Sequence, residues 1–404
     1  MVQTVKQNSE TSPPAYSGPA LFAGAYRVFF FGAALWAVTA LFVWLVYLMG
    51  FASGVGANGD MLQWHAHELV FGYGCAVVVG FALTAIPNWT GRLPVRGLEL
   101  ALLALLWGAA RIGALLLLLG YEAELVRAIA EIMFFLLFIV IAAREVIGGR
   151  NWRNLKIIGL FALLGTAVIA ANLERLGRVE LPMPSWQLGL AMLLLLICVV
   201  GGRVIPAFTG NWLRMQGHKK GPVMFGKFDG LAIVAAVGVL GMFLLGVSGP
   251  YFSAAALAAS ILHFARLSRW RGWQTLGSPI VAVLHFSYFW VPTGFFLLAL
   301  AGVGVVTETA ALHAWTVGGV GSTTLAVMTR ASLGHAGLPL TDSPVLTSIY
   351  AAINGAAFLR VSAEVWHDQH DILVNISGVL WCVAFTLFLV RFSRLYFTRR
   401  IQGR

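Results

Sequence analysis

Apolar blocks of about twenty residues, the length that spans a hydrocarbon core, constrain this chain more than any other feature. Inside lipid a segment must satisfy its own backbone polar groups, which leaves helices or closed barrels. The blocks do not alternate apolar and polar residues, so a barrel is not expected. The expected fold class is all-α: a polytopic membrane protein crossing the bilayer about twelve times. Composition agrees, since charged residues are 11% and apolar types 59% of 404 residues, too little charge to cover a soluble surface.

The pattern predicts spans at Arg27–Phe51, Trp64–Ile86, Leu98–Gly120, Leu125–Ile147, Leu155–Asn172 and Leu188–Phe208. Six more follow at Phe228–Val247, Phe252–Leu267, Pro279–Val303, Ala310–Met328, Pro344–Trp366 and Ile372–Tyr396. The fifth and eighth are short. Residues 1–24 are polar, without the short basic start and apolar core of a cleavable leader, and read as a disordered cytoplasmic tail. Residues 25–404 read as one transmembrane helical domain.

The formal net charge of +11 would suit a nucleic-acid partner, but its distribution follows the positive-inside rule instead. All Lys and Arg except Arg111, Arg127, Arg175, Arg178 and Arg360 fall on the tail, on alternate loops or beside them. The loop Gly50–Gln63 has no basic residue. Both termini are therefore expected in the cytoplasm, with an even number of spans. Cys75, Cys198 and Cys382 each lie within a span and share no CxxC spacing, which suits apolar packing better than a disulfide or zinc.

A weak repeat runs through the chain. Ile86-Pro87-Asn88-Trp89-Thr90-Gly91 ends the second span, and Ile205-Pro206-Ala207-Phe208-Thr209-Gly210 ends the sixth, 119 residues and four helices later. The tenth ends in Thr329-Arg330-Ala331-Ser332-Leu333-Gly334, the poorest match. Three groups of four helices, a pseudo-threefold repeat, would produce this pattern.

Ionisable residues inside a membrane are costly and tend to be functional. Nine histidines occur here, and two sets emerge by depth. His65, His67 and His313 form the periplasmic set. With a helix start at Asn58 or Asp60, His67 lies about 10 Å along the axis, near the level of His313. Two imidazoles at one level on different helices suit the two faces of a haem iron. His65 and His67 point about 200° apart, so they serve different centres; Glu68 adds a further buried charge. The alternative is a pair of interfacial helix starts whose histidines bond water or loops. His263, His285 and His335 form the cytoplasmic set. Three histidines at one depth suit copper or another late transition metal, and equally suit three loop-proximal residues facing headgroups. His218, His367 and His370 sit among loop charges and read as solvated.

Arg111 and Glu131 lie on opposite arms of the hairpin about Tyr121 and should pair. Arg111, or Arg360 in the eleventh span, is alternatively placed to hold a haem propionate.

No phosphate loop, Ser-His-Asp set or HExxH run is present. The run Trp64-His65-Ala66-His67-Glu68-Leu69-Val70-Phe71-Gly72 resembles the signature of the NnrS family. So do Gly80–Gly91, Gly202–Thr209, His313–Gly318 and Arg330–Gly337. The resemblance implies a bacterial inner-membrane protein containing haem b and copper, tied to denitrification and nitric-oxide stress. It carries over His65, His67, His313 and His335, whereas His263 and His285 rest on position alone. The leading expectation is a haem protein that binds or turns over nitric oxide, with catalysis left open. One rival is a quinol-linked oxidoreductase like the haem-copper oxidases, whose histidine pattern is missing here. The other is a transporter of a metal or small anion, whose site should lie at the midplane.

Overall fold

The computed structural model describes residues 16–51 and 61–399. Among these no strand occurs, and twelve helices carry the fold. They are α1 (Ala25–Leu48), α2 (Met61–Thr90), α3 (Leu98–Leu118), α4 (Glu124–Gly148), α5 (Leu155–Arg175) and α6 (Ser185–Met215). Then come α7 (Lys227–Leu244), α8 (Pro250–Ser268), α9 (Pro279–Ala301), α10 (308–336), α11 (Pro344–Ser362) and α12 (His370–Phe397). Ten helical segments are long and apolar enough to cross a membrane; α8 and α10 are outside that set. The chain is a polytopic membrane protein. The sixth span runs past its expected end to Met215 with Pro206 inside the helix, and the second runs past Ile86 to Thr90, taking in Pro87. The expected helix start at Asn58 or Asp60 and most of the expected tail lie outside the described residues. The end of that tail is structured: Ala20–Ala23 is a 3-10 turn whose Phe22 carbonyl accepts from Gly97 N–H at 3.0 Å.

Exposed apolar residues recur at helical spacing on outward faces, as lipid contact requires. In α4 they are Leu125, Ile129, Met133, Leu136 and Val140; in α12, Ile372, Ile376, Val379 and Val383. The interior differs. About 72% of the apolar window of α2 and 61% of that of α6 are buried, against 33% for α3, α7 and α12, so α2 and α6 are inner helices.

The packing repeats three times. α1 lies against α2, α5 against α6, and α9 against α10. α3 pairs with α4, α7 with α8, and α11 with α12. The groups join in a ring through α4 to α5, α8 to α9, and α12 to α1. The second helix of each group reaches the centre, where α2, α6 and α10 touch one another. Each of these three contains a π-helical segment, at Glu68–Gly74, Ile197–Gly201 and Ala314–Ser322. Side chains from matching registers, Val77 with Leu196 and Val320, and Phe81 with Val200 and Thr324, line a central apolar chamber of about 100 Å³.

Arg27 closes the ring. Its Nη1 donates to the carbonyls of Leu395, Tyr396 and Thr398 at 3.0, 3.1 and 2.8 Å, tying the start of α1 to the end of α12. Both ends of the described chain therefore share one face, the terminal face; α2, α6 and α10 begin at the opposite, far face.

Candidate functional site

At the far face the starts of α2, α6 and α10 meet α1, α11 and α12 around a cavity of about 370 Å³. His65 and His313 both line it, as does Arg360. The His65 ring stacks on Trp44, centroids 4.4 Å apart and planes 21° apart, and its Nδ1 is buried without a partner. His313 Nδ1 lies 2.9 Å from the Thr309 carbonyl one turn earlier. A carbonyl only accepts, so Nδ1 carries the hydrogen and Nε2 keeps its lone pair. This is the arrangement that orients a metal-binding imidazole. Arg360 Nη1 donates to Glu364 Oε1 at 2.7 Å, and the Thr307 hydroxyl donates to Glu364 Oε2 at 2.5 Å. Burial opposes the charge on Glu364, yet the Thr307 hydroxyl and the Arg360 guanidinium hold its pKa below the usual carboxylate range. The clamp joins the start of α10 to the end of α11 and leaves Arg360 along the cavity wall.

His67 is not part of this cavity, which corrects the expected His67–His313 pair. Two positions along a helix reverse the direction of a side chain, and His67 turns into the α2–α4–α5 interface. Its Nε2 lies 2.7 Å from Glu131 Oε2 and 2.9 Å from Arg127 Nη1. Around it is a buried charge network. Arg111 bridges Glu68 and Glu131; Arg127, fully buried, donates to Glu131 at 3.1 Å and pairs with Glu124 at 2.5 Å. Arg175 joins Glu124 at 3.1 Å, and Asn172 Nδ2 donates to Glu131 at 3.0 Å. Three arginines balance three carboxylates. Arg111 is thus committed to carboxylates, not to a cofactor at the cavity. From the sequence, Arg127 and Arg175 stand only as charges of the periplasmic side; the i, i+4 spacing of Arg127 and Glu131 is the signal for their pairing.

The copper set does not assemble. His263 Nε2–H donates to the Ala232 carbonyl at 2.9 Å and Nδ1 accepts from the Tyr288 hydroxyl at 2.7 Å, which uses both nitrogens to join α7, α8 and α9. His285 Nε2 lies 2.8 Å from the Thr209 hydroxyl. His335 is exposed and stacks on Tyr26 with centroids 5.5 Å apart. Among the described residues no group of three His, Cys, Asp or Glu is placed to hold a metal ion. Each of the three turns to a different set of partners. Cys75 and Cys198 are buried and Cys382 half-buried, all as free thiols.

Comparison with known families places a match over nearly the whole molecule: the model of the NnrS protein family covers residues 20–400. No curated protein matches the chain.

Proposed function

The chain belongs to the NnrS family of nitric-oxide-response membrane proteins, and we propose that it handles nitric oxide at a haem in the far-face cavity. One observation carries this reading. Imidazoles from two helices, His65 and His313, line a single cavity of about 370 Å³, within the range of small-molecule and cofactor sites. The donor set fits. His313 has its tautomer fixed by Thr309, His65 has an unpartnered ring nitrogen, and Arg360 offers a cation to a propionate. Trp44 holds the His65 ring in place by stacking, and apolar Leu69, Leu190 and Leu312 exclude water from the wall. His65 and His313 would hold a haem there, and with one imidazole displaceable the bound haem would supply a centre that captures diatomic gases, with ligation and polarity deciding the outcome.

The family is associated with haem and copper in general. His263, His285 and His335 do not fit one copper ion, so copper has no part in this reading. The axis supports a neutral ligand over an ion. The far-face cavity shares Leu193 and Val320 with the central chamber, whose wall is otherwise almost wholly apolar. An ion passing Val77, Leu196 and Val320 would lose hydration with nothing to replace it, whereas a small neutral gas loses little.

The test is the visible spectrum and haem content of the purified protein and three variants. His65→Ala and His313→Ala should each lower haem occupancy by about tenfold or more. His67→Ala should keep haem while lowering the melting temperature. A protein that takes up no haem, or one that keeps it in both cavity variants, ends the proposal.

A further inference from the structure

The terminal face holds a second and larger cavity, of about 620 Å³, between α2, α5, α6 and α10. Among the described residues its wall carries Arg153, Arg203 and Arg330, and no carboxylate. Arg330 is only 8% exposed, and its Nε is buried without a partner. Nη1 donates to the Ile280 carbonyl at 3.0 Å, and the guanidinium lies 4.0 Å over the Phe208 ring. The other buried arginines differ. Arg111, Arg127 and Arg266 each pair with a carboxylate, and Arg27 has three carbonyls at the C-terminal end of α12. Asp342 accepts from Ile280 N–H at 2.8 Å and forms no ion pair with Arg330. Arg203 is half-buried beside the Phe225 ring at 5.5 Å and hydrogen-bonds no carboxylate.

A guanidinium keeps its charge in a protein. One buried this far requires an anion, because an uncompensated buried charge is strongly destabilising. The rest of the cavity narrows the class. Beyond the arginines the wall is mixed: Thr84, Asn88, Asn151, Asn154 and His335 offer polar groups, and Phe81, Val200, Val204, Leu284 and Val327 form an apolar stretch. The space is also too large for a bare inorganic ion alone. Three guanidinium groups around one opening favour phosphate, whose oxygens can serve more than one fork, over a carboxylate, which one fork fills. We propose that this cavity binds an amphiphilic phosphate ester, its phosphate on Arg330 and Arg203 and its apolar body against Phe81, Val204 and Val327. The ester is either a soluble phosphate or the headgroup of an acidic lipid.

The test uses the full chain purified in uncharged detergent. Hexyl phosphate is titrated by thermal shift, and retention of phosphatidylglycerol against phosphatidylcholine is read by native mass spectrometry. At least one phosphate probe should bind, and Arg203→Gln and Arg330→Gln should each weaken it by about tenfold or more. Arg203 makes no ion pair, so its variant stays informative if Arg330→Gln does not fold. Hexyl phosphate binding without lipid preference identifies a soluble ligand; selective retention of phosphatidylglycerol identifies a lipid. Haem content in Arg203→Gln should equal that of the native protein, because the two cavities are at opposite faces. Failure of both probes on the native protein, or equal binding in Arg203→Gln, overturns the proposal.

Discussion

The buried network around His67 shows how single residues divide the work of neutralising charge. From the sequence, Arg111 and Glu131 alone form a pair. In the structure Glu131 is shared among Arg111, Arg127, His67 and Asn172, whereas the partner of Glu68 is Arg111. That difference decides which double substitution is tolerated. Arg111→Leu leaves two buried carboxylates short of a partner and should cost roughly 3–5 kcal/mol. Adding Glu68→Leu removes an otherwise unpaired charge and should recover much of that loss. Adding Glu131→Leu should not, since it strands Arg127, His67 and Asn172 and leaves Glu68 unpaired. Melting temperatures of the two single-arm doubles check this, and equal recovery in both would show that the network is not divided as described. The hairpin partner was legible because loop symmetry sets depth. The sharing was not, because it depends on how α2 and α5 turn towards α4.

At the scale of elements, the spans were legible, but the directions of side chains beyond a π segment were not. Hydropathy is local, so each block announces its own helix. Direction is not local: a π segment such as Glu68–Gly74 rotates everything beyond it relative to a regular helix. It is also held by fits that no local pattern encodes. Gly318 in the π segment of α10 faces Trp290 of α9, and Gly294 of α9 faces Trp315 of α10; a methyl group at either glycine would collide with the facing indole. Neither indole can withdraw. Trp290 Nε1 donates to Asn354 at 3.0 Å, and Trp315 Nε1 to the Val291 carbonyl at 3.1 Å. Gly318→Ala and Gly294→Ala should each cost about 1–3 kcal/mol by overpacking. Gly334, in the same helix as Gly318 but facing open space, should tolerate alanine or gain roughly 0.5–1 kcal/mol. Thermal unfolding of the three variants separates these cases. Equal effects would mean that helix propensity, not the interlock, sets the cost.

For the whole molecule, the ring of three four-helix groups gives each cavity a side of the membrane, and charge says which side. Arg127 and Arg175 sit towards the far face but are consumed by Glu124 and Glu131, so they add little free positive charge there. The terminal face keeps Lys219 and Lys220 after α6, Arg271 after α8, and Arg391 and Arg394 near the end of α12. Counting only charges without internal partners therefore sharpens the bias that the positive-inside rule reads. We infer that the chain lies in a bacterial inner membrane with its terminal face in the cytoplasm. The far-face cavity would then open towards the periplasm, and the arginine-lined cavity towards the cytoplasm. Cysteine labelling tests this directly. Arg178→Cys, on the exposed turn after α5, should react with a membrane-impermeant maleimide on intact spheroplasts. Lys219→Cys, after α6, should react only once the membrane is opened. The native Cys75 and Cys198 are buried and should stay silent, and with the half-buried Cys382 replaced by Ala any signal belongs to the introduced thiol. The reverse pattern would turn the molecule over, and any phosphate ligand of the arginine cavity would then have to come from outside the cell.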